Sequence, residues 1–209
     1  RATSGSLLVA RAVDDRARAS RRRRSGVGAA IELIVQRHDS NDYYDDCKNI
    51  SSKMIHDVAL RDLQVNADER GSLTETWRSD WEFYGEGDEP AMSYFSVSYP
   101  GIIRAWHRHH RGQIDHFVVP HGKVKVGIYD DREGSPTRGE VDTYVIGEGN
   151  MKAVKVPGDC WHGFKTLGNE RATLINFPTN LYDYEDPDEE RLPYDTDEIP
   201  YDWEQPTHE

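Results

Sequence analysis

From residue 54 onward the chain is written in short strands. Runs of β-branched and aromatic residues follow one another at Ile55–Leu60, Ser72–Trp77, Ser93–Tyr99, Ile102–Trp106, Asp115–Val119, Lys123–Tyr129, Asp142–Ile146, Lys152–Val156 and Ala172–Phe177. Several alternate cleanly: Val124, Val126 and Ile128 share one face, and Lys123, Lys125 and Gly127 the other. Turn-forming pairs fall between them, among them Pro100-Gly101, His121-Gly122, Ser135-Pro136 and Pro157-Gly158. No long amphipathic helix interrupts the series. The spacing predicts an all-β fold closed into a sandwich or jelly roll, with an interior whose mouth can take a ligand.

Charge divides the chain in two. Residues 1–53 carry 11 basic and 7 acidic residues, a net of +4, with Arg21 to Arg24 in a row. Their Ala, Ser and Arg richness and weak periodicity predict a disordered, basic N-terminal extension, with the working domain at 54–209 beginning near Met54. Residues 54–209 carry 15 basic and 31 acidic residues, a net of -16, which excludes general nucleic-acid binding by bulk attraction. Only five lysines occur there: Lys123, Lys125, Lys152, Lys155 and Lys165. Such a carboxylate-dense surface suits a cytoplasm at high salt, where self-repulsion is screened.

No apolar run reaches the roughly 18 residues of a membrane span, so no membrane partner is expected. With Cys47 and Cys160 alone, the chain lacks a disulfide scaffold, and a reducing, cytoplasmic setting is expected. The segment 182–209 is crowded with Asp, Glu and Pro, which reads as a solvated tail. It also holds Tyr182, Tyr184, Leu192, Tyr194, Tyr201 and Trp203, too many apolar side chains for pure disorder, and is expected to pack against the barrel as an irregular acidic C-terminal segment.

The chemistry concentrates between Gly101 and Gly122. His107, His109, His110, His116 and His121 lie within fifteen residues, and Pro157–Gly163 delivers His162 after a tight turn. On a strand His107 and His109 share a face. Two chemistries use such a set. A neutral histidine, backed by a carboxylate, can remove a proton next to a carbonyl. Alternatively, several histidines and a carboxylate can chelate a divalent metal. His110 and His121 read as surface polar residues.

Residues 54–205 resemble the dTDP-4-dehydrorhamnose 3,5-epimerase family, a cupin (double-stranded β-helix) jelly roll. The resemblance is carried by Asp68-Glu69-Arg70-Gly71 with Glu75, Ser96-x-Ser98, Gly101-Ile-Ile-Arg104-Ala-Trp-His107, Gln113, Asp130-x-Arg132-x-x-Ser135-Pro136-Thr137-x-Gly139, and Pro157-Gly158 through His162-Gly163-Phe164. It implies a homodimer with a strand lent across the interface, acting without metal or other cofactor on a nucleotide-linked 4-keto-6-deoxyhexose in deoxysugar biosynthesis of the rhamnose type. The ketone acidifies C3 and C5. His107 matches the base, Arg70 and Arg104 match arginines that hold the diphosphate, and His162 matches a histidine facing the substrate. Glu75 and Gln113 join the substrate-binding set. The aspartate that orients the base should lie seven residues before the final tryptophan. Counting back from Trp203 lands on Thr196, with Asp195 favoured over Asp197 beside it.

Five positions depart from the family pattern. The family's tyrosine acid falls at Asn176, and an amide has no proton to give at neutral pH, so Tyr182, Tyr184 or water becomes the expected donor. The family's lysine falls at Asp115. An asparagine and a glutamine of the family fall at Tyr94 and Met92, so nucleotide contacts differ. The family's usual glutamine falls at His109. Epimerisation at one centre rather than two therefore becomes an option, as does a different keto-sugar substrate. A metal-dependent cupin enzyme, a dioxygenase or isomerase, is the alternative, with His107, His109, Asp115 and His162 as ligands.

Overall fold

The computed structural model describes residues 54–206; the expectations for the extension 1–53 lie outside the described residues. The chain forms β1 (Ala59–Asp62), β2 (Val65–Asp68), β3 (Gly71–Thr74), β4 (Tyr94–Ser98), β5 (Ile103–Arg108), β6 (Ile114–His121), β7 (Lys123–Tyr129), β8 (Val141–Gly147), β9 (Lys152–Pro157), β10 (Trp161–Leu167), β11 (Ala172–Asn176) and β12 (Glu190–Arg191). Two five-stranded sheets, ordered β1-β9-β6-β11-β4 and β12-β5-β10-β7-β8, face one another, and β2 and β3 form a separate hairpin. This is the jelly roll that the strand spacing predicted, of the cupin kind that the family resemblance implied.

Alternation builds the core. Phe117 and Val119 of β6, Val124, Val126 and Ile128 of β7, Val154 and Val156 of β9, and Ala172 and Leu174 of β11 meet between the sheets. Each fully buried aliphatic side chain contributes about 1.5–3 kcal/mol, which makes this layer the main source of stability. The same faces carry Asp115 on β6, Asn176 on β11 and His162 on β10 toward the interior at one end. The site is thus built on the strands that hold the core.

The two sheets join at the His121-Gly122 turn. Gly122 takes φ of 72°, and a Cβ there would press on the backbone of Arg171 and Ala172. A second cluster, Trp106, Trp161, Ile199 and Trp203, fastens the C-terminal segment to the barrel, and Lys125 Nζ donates to the carbonyls of Trp203 and Gln205 at 2.7 and 2.8 Å. That segment packs as expected.

Two local readings need correction, and one strand is added. The first strand begins at Ala59, not Ile55. Ile55 is instead pinned by its amide, which donates to Asp142 at 2.7 Å. The run at Ser72–Trp77 shortens to Gly71–Thr74 and pairs with β2, whose exposed residues hid its strand character. The tight turn at Pro157-Gly158 is present as read, and the stretch after it forms β10, a strand missing from the sequence series. Its alternation is broken by a register shift between His162 and Phe164, where Gly163 sits so close to Ala105 that any side chain would overlap it.

Candidate active site

Asp115 is the hub of the site. Its side chain is 1% exposed, and both oxygens are engaged. One accepts from Gln113 Nε2 and from Asn176 Nδ2, each at 2.9 Å. The other faces His162 Nε2 at 3.1 Å and His109 Nε2 at 3.5 Å. Burial works against this carboxylate's charge, but the hydrogen bonds and charges of His109 and His162 outweigh it and hold its pKa well below the ordinary value.

The histidines are aimed by backbone carbonyls. His162 Nδ1 meets the Cys160 carbonyl at 2.9 Å, and His109 Nδ1 meets the Asp188 carbonyl at 2.5 Å. Each ring therefore turns its Nε2 toward Asp115. For His109, burial opposes the charged form, but the bond to Asp115 prevails and the pKa is raised. Gly158 supports this corner: its carbonyl accepts from the His109 amide at 2.5 Å, and a Cβ there would overlap the Gln113 carbonyl.

His107 differs from both. β5 pairs it with His162 across the sheet, and its ring centroid lies 4.2 Å from that of His162 in an edge-on contact. Its ring makes no hydrogen bond with another described residue. Burial, then the neighbouring charge of His162, pushes its pKa well below the ordinary histidine value, against the pull of Asp115. The donor atoms of His107, His109, Asp115 and His162 lie within 4.8 Å of one another, so these four form the set that could hold a divalent metal.

Beside this cluster opens a cavity of about 440 Å³, walled by Tyr94 and Ser96 from one sheet and by Arg104 and His107 from the other. A second cavity, of about 330 Å³, shares Tyr94, His107, Glu189 and Arg191 with it and adds Gln113, Tyr182 and Tyr184. Arg104 stands on the rim with its Nε donating to Ser98 Oγ at 2.8 Å. Gln113 Nε2 donates to Asp115 and lies 3.0 Å from His109 Nε2.

Other sequence expectations fall elsewhere. Asp195 is exposed and lines a separate depression with Tyr194, Thr196 and Asp197, away from His107; the carboxylate beside the histidines is Asp115. His162 is fully buried behind His107 rather than on either cavity wall. Arg70 lies in the exposed β2–β3 hairpin, paired with Asp68 at 2.5 Å, and Glu75 pairs with Arg78 at 2.9 Å; neither lines the cavities beside His107. His110 and His121 pair with the surface carboxylates Glu190 and Glu148. Tyr94 and Met92, read as altered nucleotide-contact positions, do line the cavities, whereas Arg191 was not anticipated as a wall residue. For Arg191 the signal was present, since it is the sole Lys or Arg in 182–209.

The sequence model of the dTDP-4-dehydrorhamnose 3,5-epimerase family matches residues 52–209. The chain is 66% identical over 154 residues to the probable low-salt glycan biosynthesis epimerase Agl13 of Haloferax volcanii, covering 74% of this chain and 97% of that protein. The fold is similar to a dTDP sugar isomerase from Desulfovibrio desulfuricans, with a TM-score of 0.66 and 29% identity over 71% of this chain and 92% of that one. It is similar also to NovW, a 4-keto-6-deoxy sugar epimerase from Streptomyces spheroides, with a TM-score of 0.64 and 25% identity over 73% of this chain and 77% of that one. This chain therefore belongs to the dTDP-4-dehydrorhamnose 3,5-epimerase family and is an enzyme of the epimerase kind.

Proposed function

We propose that this enzyme epimerises a nucleotide-linked 4-keto-6-deoxyhexose at C3, C5 or both, in deoxysugar biosynthesis. The observation that carries the reading is His107: an imidazole free of hydrogen bonds to described residues, on the wall of a cavity large enough for a sugar. A general base must have its lone pair open to the substrate, and His107 is the histidine of the cluster that does. The ketone at C4 acidifies the neighbouring carbons, so one base serves either centre. His162, Asp115 and Gln113 act behind it as a fixed polar frame.

Arg104 and Arg191 on the cavity walls supply positive charge for a diphosphate, which a planar guanidinium binds through paired hydrogen bonds. They matter more in a domain at -16, where an anionic substrate meets net repulsion. The exposed β2–β3 hairpin suits a homodimer in which Arg70 and Glu75 reach the other copy's cavity. Light scattering reports the assembly: a dimer is expected, and a monomer would leave Arg70 without a substrate role. The carboxylate-dense surface supports a cytoplasmic setting at high salt, where self-repulsion is screened.

The test is proton exchange. In D2O with dTDP-4-keto-6-deoxyglucose, deuterium is expected at C3, C5 or both. The absence of label at both carbons would falsify the reading.

A second reading rests on a separate observation. His109 and His162 each give Nδ1 to a carbonyl and turn Nε2 toward the same carboxylate oxygen. That arrangement is satisfied by an added proton or by a shared cation, and it supports a metal-dependent isomerase with His107 as the fourth ligand. Metal analysis of the purified protein separates the two. Near-stoichiometric zinc, iron or nickel, lost together with activity on chelation, favours the metal; full activity without it favours the base.

A further inference from the structure

Inversion next to a ketone needs two groups. One removes a proton from one face of the sugar, and another returns a proton to the opposite face. His107 stands on β5, in one sheet. The returning group belongs on the facing sheet, across the cavity.

Asn176 on β11 cannot be that group. It is fully buried, and its amide is already committed: Oδ1 accepts from the His116 amide at 3.0 Å, while Nδ2 donates to Asp115 and to Tyr94 Oη at 2.9 and 3.0 Å. The last bond leads outward. β11 and β4 are paired in register, with Tyr94 opposite Asn176, so the phenol of Tyr94 caps the chain His162–Asp115–Asn176. Tyr94 also lines both cavities together with His107, from the other sheet. Because its oxygen accepts from Asn176, its own hydroxyl hydrogen is free to point at a bound molecule, and no described residue takes it.

We infer that Tyr94 is a catalytic acid, delivering a proton to the face of the sugar opposite His107. The inference rests on the epimerase reading above and adds a second catalytic residue to it. The step balances without an oxidant or reductant. The C–H bond breaks, its proton passes to a ring nitrogen of His107, and the electron pair moves into the enolate. The Tyr94 O–H bond then breaks as a new C–H bond forms on the other face and the ketone returns. The phenolate, held by the Asn176 amide, is reprotonated from solvent, and His107 releases its proton there. Burial first, and the Asp115 charge second, raise the phenol's pKa, so it stays protonated at neutral pH.

Tyr182 and Tyr184 are the rival donors. They border the second cavity but not the first, Tyr184 is 88% exposed, and neither bonds to the buried chain. Tyr94→Phe removes one oxygen from a half-exposed ring, so the fold is expected to persist, checked by circular dichroism and melting temperature.

With dTDP-4-keto-6-deoxyglucose in D2O, the variant should still exchange a substrate proton with retained configuration, within about threefold of the parent enzyme. Inverted product should fall by about 10²-fold or more, in the range of a lost general acid. Inversion within tenfold of the parent overturns the assignment. So does an equal fall of exchange and inversion, which places Tyr94 before proton removal, or the same split appearing in Tyr182→Phe or Tyr184→Phe instead. Absence of exchange in the parent enzyme removes the epimerase chemistry itself and is thereby distinct.

Discussion

Asp115 and Asp130 are both buried carboxylates with depressed pKa values, and they do different work. Asp130 is fully buried at the end of β7. It accepts from Arg132 Nε at 2.9 Å, Ser135 Oγ at 2.5 Å and Thr137 Oγ1 at 2.7 Å, which closes the loop that leads to β8. Its neutralising partner is a guanidinium, charged at every working pH. Asp115 is surrounded by two imidazoles and two amides, beside a cavity. Its partners can change protonation and its surroundings admit a ligand. Burial and a shifted pKa alone therefore do not mark a reacting centre; what distinguishes one is the chemistry of the donors and an open wall next to them.

The comparison is broken most directly at its two hubs. Asp115→Ala leaves His109, His162, Gln113 and Asn176 without their shared acceptor. It should cost about 3–5 kcal/mol in denaturant unfolding, as breaking a buried charged pair does, and also abolish proton exchange. Asp130→Ala should cost a similar amount while the exchange rate per folded molecule stays unchanged. If the Asp130 variant loses exchange at full folding, the two carboxylates are not separable and the distinction fails.

A smaller effect is expected on the cavity rim. Arg104 is exposed and anchored through Ser98, so Arg104→Ala should leave the melting temperature in place. It should raise KM about tenfold, near 1.4 kcal/mol, with kcat little changed. A fall in kcat with constant KM would move Arg104 from binding into the chemical step.

The smallest is a pH slope. Burial tends to raise the Asp130 pKa, but Arg132, Ser135 and Thr137 outweigh it and the folded value is lowered. A depressed folded pKa gives stability that is present above the unfolded value, about 3.9, and is lost as pH falls toward the folded one. Unfolding free energy should therefore decline as the solution is acidified below about pH 4. Asp130→Asn should flatten that decline, and an unchanged slope would mean the carboxyl is not held as its bonds imply.

Much of the fold was legible because alternation is local. Val124, Val126 and Ile128 announced β7, and the spacing of such runs announced the barrel. β10 was not legible, because Gly163 and the register shift beside it interrupt the period. The same limit governs the site. His107, Arg104 and Gln113 stand in one contiguous stretch and were read together. Asp115 was visible as a reversed charge, but periodicity gives a face and not a depth, so its place at the centre of three hydrogen bonds and the ion pair with His109 was hidden. Tyr94 meets Asn176 across 82 positions, a pairing that only the sheet creates. Asp195 was chosen by counting through a segment without regular structure, where spacing carries no direction, and it lies in a different depression.

The central claim is that His107 takes a proton from carbon next to a ketone. NMR of dTDP-4-keto-6-deoxyglucose in D2O, with the parent enzyme and with His107→Ala, measures it at each carbon. The account predicts deuterium at C3, C5 or both with the parent enzyme, and a rate lower by about 10²–10⁴-fold in the variant. Unlabelled sugar with the parent enzyme, or undiminished labelling with the variant, would contradict it.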